Sequence, residues 1–151
     1  SLMLVNTTCE YTDAQRVLWR DRADMALRGG IEAVHVVLMD RWFTQDAADR
    51  RLPGYVYMEE TFRRFKPSSF DSVIEAMRGL DTLARLPGIK VPTMVVATPD
   101  DPGAPTETSR KMAAAIPGSE LNWLEPARHL ATLEHPERFN ELAGKFLARV
   151  G

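Results

Sequence analysis

Two short runs of adjacent residues, Leu2-Met3-Leu4-Val5-Asn6 and Thr93-Met94-Val95-Val96-Ala97, constrain the fold more than any other feature of this chain. Both are too short for stable helices, and neither alternates apolar with polar as a strand with one wet face does. They predict strands buried on both faces. Thr7-Thr8 closes the first run, and Pro92 stands at the entry of the second, where a missing N–H is tolerated. Glu120-Leu121-Asn122-Trp123-Leu124 predicts a third strand.

What lies between the strands is helical. Thr106 to Ile116 carries a helix stopped by Pro117-Gly118. From Glu137 onward Phe139, Leu142, Ala143, Phe146, Leu147 and Val150 recur at helical spacing along one face. Strand, helix, strand, helix at these lengths implies right-handed crossovers and a parallel sheet, so the chain belongs to the α/β class. Residues 10–86 show no strand. Thr12 or Asp13 caps a helix to about Arg28, with Gly29-Gly30 as its stop. Helices follow from Ile31 to Trp42, Gln45 to Arg51 and Tyr55 to Phe65, and Ser68 or Ser69 caps another from Phe70 to Arg78. The expected organisation is a helical insertion over residues 10–86 on a core formed by residues 1–9 and 87–151.

With 151 residues, 44% of them hydrophobic, the chain is long enough for one packed core. Its 19 basic and 21 acidic side chains nearly cancel, which argues against nucleic acid or an anionic membrane as partner. The single cysteine, Cys9, forms no internal disulfide, and no long apolar run suggests a membrane span, so a cytoplasmic setting is expected.

In open parallel sheets functional groups collect on loops beyond the carboxyl ends of the strands. Asp101 follows the second strand and His129 the third, which makes their loops neighbours. A carboxylate there can fix the imidazole tautomer and stabilise the imidazolium formed when the histidine takes a proton from a nucleophile. Acid before histidine is also the order found in one large class of hydrolases. No Gly-x-Ser-x-Gly turn occurs among the 151 residues.

The stretches from Val91 to Pro105 and from Ala127 to Phe139 resemble the acid loop and histidine loop of α/β-hydrolases, with the nearest likeness to 3-oxoadipate enol-lactonases. Val91-Pro92-Thr93 and Asp101-Pro102-Gly103-Ala104-Pro105 match the family's strand entry and acid loop; Glu134, Pro136 and Phe139 match the segment after its histidine. Leu4-Val5-Asn6-Thr7 resembles the strand that enters the helical cap. The resemblance implies a partial α/β-hydrolase fold: about three parallel strands, flanking helices and an inserted cap. It also implies hydrolysis of a small-molecule ester or lactone by a serine nucleophile, without metal or organic cofactor. Asp101 and His129 are then the catalytic acid and base, with Asp100 as the neighbouring alternative for the acid. The family's nucleophile has no counterpart here, so the chain is expected to be the carboxyl-terminal portion of such an enzyme and inactive alone. A relative acting on another carboxylic ester, or on a carbon–carbon bond in a diketone, fits the same residues.

Arg128, where the family usually has a small residue, either alters loop packing or binds a substrate carboxylate. Trp19, Trp42, Met25, Met39, Met58 and Phe62 fall at helical spacing on the insertion, where they pack or line an apolar pocket; Trp42 and Arg128 are the candidate substrate-binding residues. Arg16, Arg20, Arg22 and Arg28 read as a solvated helix face, with the alternative that one of them clamps an anionic substrate. His35 reads as structural, His135 as shaping a helix entry, and Cys9 as a small buried apolar residue rather than a substitute nucleophile. The first strand lacks a neighbour on one side, which favours a homo-oligomer formed through exposed core surface, or a non-catalytic assembly module.

Overall fold

The computed structural model describes residues 1–150. Three parallel strands, β1 (Leu2–Val5), β2 (Thr93–Ala97) and β3 (Glu120–Trp123), form one sheet in the order β1-β2-β3. Leu4 stands opposite Val95, and Val95 opposite Leu121. Five helices separate β1 from β2: α1 (Asp13–Gly29), α2 (Glu32–Trp42), α3 (Gln45–Asp49), α4 (Pro53–Arg63) and α5 (Pro67–Arg78). A 3₁₀ helix, Leu83–Gly88, leads back to β2; α6 (Thr106–Ala115) connects β2 to β3, and α7 (Ala131–Glu134) and α8 (Pro136–Val150) follow β3.

The unbroken apolar run of β2 is explained by its central place. Met94 and Val96 face one layer with Leu124, Ala127 and Phe146 of α8; Val95 faces the opposite layer with Met112, Ile116 and Leu86. Both faces of β2 are covered and all five of its residues are buried. β1 departs from the expectation. Its four residues are each only partly buried, because it lies at the sheet margin and pairs with β2 alone. It ends one residue early, at Val5, since Asn6 turns into the left-handed region (φ 44°) that asparagine tolerates better than most residues.

The chain enters and leaves the five-helix insertion at adjacent points, joined by an antiparallel bridge between Glu10 and Asp81 and by Thr82 N–H donating to the Cys9 carbonyl at 2.8 Å. Thr12 caps α1 through a reciprocal pair with Gln15, and Gly30 (φ 76°) ends it. The expected cap of α5 is displaced: Pro67 opens that helix, and Ser68 and Ser69 lie inside its first turn. The insertion has its own core, in which Val34, Leu38, Phe62, Phe70 and Ile74 are buried together. A separate cluster of Met39, Phe43 and Ala47 packs against Leu130 and Leu133, seating the insertion on the segment after β3.

Candidate active site

The polar residues that follow the three strands converge. Asp101 and His129 meet with Nδ1 of the imidazole 2.9 Å from Oδ2 and 3.1 Å from Oδ1 of the carboxylate. A carboxylate only accepts, so Nδ1 carries the proton and Nε2 is left as the basic nitrogen. The Asp101 side chain is fully enclosed, whereas that of His129 keeps 30% of its exposure. Asp100, the neighbouring alternative, is exposed.

Asp101 is held by its own turn. Oδ1 accepts from Gly103 N–H at 2.6 Å and from Ala104 N–H at 3.0 Å, the local closure an aspartate makes two residues ahead of itself. Asn6 Nδ2 donates to Oδ2 at 3.0 Å and also contacts Thr98 Oγ1 at 3.0 Å. Burial pushes the carboxyl up, but hydrogen bonding and charge attraction from His129, then the bonds from Asn6 and Gly103, bring it below its ordinary 3.8. The group is therefore kept as an anion. Gly103 is required for packing: a Cβ there would stand 3.0 Å from Nδ1 of His129 and 3.2 Å from Oδ1 of Asp101.

An apolar cavity of about 260 Å³ adjoins His129, lined by Trp19, Trp42, Met58, Phe62, Phe65, Phe70 and Met77 of the insertion, with Tyr11 and Gly103. Trp42 thus lies where a substrate-contacting residue is wanted. Arg128 does not line this cavity; its guanidinium donates to the Asp40 carbonyl and stands 3.4 Å from the Asp40 carboxylate. Of its two expected roles, the contact it makes is loop packing. Cys9 is 1% exposed beneath Leu86, Val95 and Met112, and burial followed by the charge of Glu10 raises its thiol, the opposite of what a nucleophile needs. His35 is buried and stacked 5.9 Å from Phe62. His135 donates from Nε2 to the Pro126 carbonyl at 2.5 Å.

The arginines of α1 do not form one solvated face. Arg20 pairs with Asp24, Asp71 and Glu75, bridging α1 to α5. Arg22 is only 7% exposed, lies 4.7 Å over the Trp19 ring, and its Nη1 is buried without a hydrogen-bond partner. Burial first and the positive charge of Arg41 second bring its guanidinium down to about 10. Arg41 lines a narrow crevice with Trp19, Trp42, Gly103 and His129, and donates to the Pro102 carbonyl at 2.6 Å. Arg22 itself lines neither this crevice nor the larger cavity. Sequence reasoning missed Asn6 and Tyr11, and it named Arg22 only as one of four arginines. A polar residue closing an apolar strand was a usable signal for Asn6; nothing in the pattern of α1 separates Arg22 from its neighbours. Among the described residues, no group of three or more His, Cys, Asp or Glu side chains is arranged to hold a metal ion, and no helix is long and apolar enough to cross a membrane.

A parallel sheet carries a buried acid hydrogen-bonded to a histidine beyond its carboxyl edge, under a helical insertion, with the acid-before-histidine order of the α/β-hydrolase fold. The sequence agrees with that class. Residues 4–142 match the model of the Alpha/beta hydrolase family, and the chain belongs to that family. A 2-hydroxy-6-oxononadienedioate/2-hydroxy-6-oxononatrienedioate hydrolase from a Pseudomonas species is 30% identical over 88 residues, 56% of this chain and 31% of that protein. The crystal structure of the enol-lactonase from Burkholderia xenovorans LB400 superposes with a TM-score of 0.89 and 28% identity, covering 97% of this chain and 55% of that one. A thermophilic esterase from Thermogutta terrifontis shares the fold at a TM-score of 0.87 and 21% identity, covering 98% of this chain and 55% of its own. The chain thus spans about a third to a little over half the length of the proteins it resembles.

Proposed function

We propose that this chain supplies the acid, the general base and the substrate-covering cap of a serine hydrolase that cleaves an ester or lactone, resembling 3-oxoadipate enol-lactonases. The cap is residues 10–86, and residues 1–9 and 87–151 are its share of the core. His129 takes the proton of a serine hydroxyl through Nε2 and returns it to the leaving oxygen, while Asp101 fixes the tautomer and stabilises the imidazolium. The single observation that carries this reading is the enclosed Asp101 carboxylate on Nδ1 of a partly exposed His129 beside an apolar cavity. Trp42, which lines the cavity, contacts the apolar body of the substrate. The serine and the oxyanion-binding groups come from polypeptide outside these 151 residues, and the chain by itself is inactive.

The test is hydrolysis of short p-nitrophenyl esters and of an enol-lactone by the chain alone and joined to the polypeptide encoded immediately upstream. Turnover is expected only in the joined form, and His129→Ala should lower it by about 10³-fold or more. Turnover that survives His129→Ala in the joined form refutes the assignment of the base.

A second reading, a non-catalytic assembly module, is favoured by the margin strand β1, whose residues stay partly exposed and whose outer edge has no partner within the chain. Such an edge recruits a further strand. Light scattering of the isolated chain at micromolar concentration should show a dimer or larger; a clean monomer counts against association through β1.

A further inference from the structure

The histidine loop is tied to the cap through a residue that is neither the acid nor the base. Glu134, at the end of α7, is only 5% exposed. Its Oε2 accepts from the N–H of Arg128, the residue before His129, at 3.3 Å. Its Oε1 accepts from Thr44 N–H at 3.3 Å and from the Thr44 hydroxyl. Thr44 in turn caps α3, its Oγ1 accepting from Ala47 N–H at 3.2 Å. On the other side of His129, Leu130 N–H donates to the Trp42 carbonyl at 2.9 Å. The backbone on both flanks of His129 is therefore tied to one corner of the cap, Trp42 to Thr44, and Trp42 lines the cavity.

We propose that Glu134 is a positioning residue that makes the placement of His129 depend on the docking of this cap corner. A buried carboxylate is costly unless its acceptors are filled, and apolar packing serves stability as well or better. The donors that fill this one come from two segments, the histidine loop and the α2–α3 corner. They meet only when the cap is seated. Displacement of Trp42 by a ligand in the cavity is then transmitted to Arg128 and Leu130, and so to the imidazole between them. The functional meaning rests on His129 as the base, but the geometry can be tested without turnover.

The experiment uses the ¹⁵N-labelled 151-residue chain with Glu134→Ala, Glu134→Gln and Thr44→Val. Hydrogen exchange at the Arg128 amide and the imidazole ¹⁵N shifts of His129, which report tautomer and bonding to Asp101, are measured beside the melting temperature. Glu134→Ala is expected to speed Arg128 exchange about tenfold or more and to convert His129 from one tautomer to a mixture. Glutamine retains part of the wild-type signature: its carbonyl at the Oε2 position accepts from Arg128 N–H and, at 3.4 Å, from Thr44 N–H, while its amide at the Oε1 position donates to Thr44 Oγ1. Thr44→Val, on the opposite segment, shifts His129 in the same direction by less. Unchanged His129 shifts in Glu134→Ala with only a lower melting temperature overturn the proposal, as does a Thr44→Val variant that leaves His129 untouched. Absence of hydrolysis would bear on the enzymatic reading alone.

Discussion

Asp101→Asn isolates the hydrogen bonding of the site because it preserves shape and removes one acceptor. In the native chain Oδ1 receives Gly103 and Ala104 N–H, and Oδ2 receives Asn6 Nδ2 and the closer approach of His129 Nδ1. An asparagine keeps the turn only by placing its oxygen at the Oδ1 position. Its NH₂ then faces the NH₂ of Asn6 and the Nδ1–H of His129, donor against donor. His129 relieves one clash by moving its proton to Nε2; the other remains. Hydrogen bonds to a charged group contribute roughly 1.5–3 kcal/mol each, and an unsatisfied buried donor costs about 1–3 kcal/mol. Allowing for the relieved contact, the expected loss is about 2–4 kcal/mol at neutral pH.

The pH dependence fixes the sign. The carboxyl of Asp101 is held below its ordinary 3.8, so its contribution is fully present above that value and disappears as pH falls through the lower folded-state value. Urea titrations followed by tryptophan fluorescence should show a gap between wild type and variant that is constant near neutrality and closes in acid. Imidazole ¹⁵N shifts should show the proton on Nε2 in the variant, the form that cannot act as base toward a hydroxyl. A gap below about 1 kcal/mol, or one that persists unchanged in acid, refutes the reasoning that the charged acceptor dominates this cluster.

Two further outcomes follow from particular contacts. Gly103→Ala drives a methyl between acid and base, where the Cβ would sit 3.0 Å from Nδ1. It is expected to cost about 1–3 kcal/mol in urea unfolding and to broaden or remove the Nδ1 proton resonance. Arg22→Met removes a buried guanidinium whose Nη1 has no partner. It should leave stability within about 1 kcal/mol of wild type, measured by urea unfolding, because the desolvated guanidinium gives up little when an apolar side chain of similar length fills its place.

What was legible in the sequence was what strand and helix periodicity encode. The unbroken run from Thr93 to Ala97 required cover on both faces, and the residues that cover it are Met112 of α6 and Ile116 just past its end on one side and Phe146 of α8 on the other. Asp101 and His129 were legible because each lies on the loop after a strand, and parallel neighbours bring those loops side by side. The same logic overstated the burial of β1, whose composition matches a central strand but whose position is marginal. The bonds of Glu134 were illegible because they join the histidine loop of the core to the Thr44 corner of the cap, and no local pattern encodes such tertiary approach. The burial of Arg22 was illegible because, although Trp19 is its i,i+3 neighbour on α1, the approach of Arg41 from α2 is tertiary.

The precision of the Asp101–His129 contact comes from the sheet as much as from the loops. The ladder continues one step past each strand, with Asn6 N–H donating to the Val96 carbonyl and Leu124 N–H to the Ala97 carbonyl, both at 2.9 Å. Asn6 and Thr98 therefore sit where the hydrogen-bond register puts them. The Asn6 side chain then joins the three strand ends, contacting Thr98 Oγ1 and Asp101 Oδ2 and approaching the Arg128 carbonyl at 3.5 Å, while Thr98 Oγ1 donates to that same carbonyl at 3.2 Å. The left-handed turn at Asn6 is what aims its amide inward across the strand ends, and asparagine is among the few residues that combine that backbone with two donors. A strand slip of one residue would turn every side chain to the other face and break this junction at once. The apolar pattern of β2 that holds the register is thus also what holds Asp101 in place for His129.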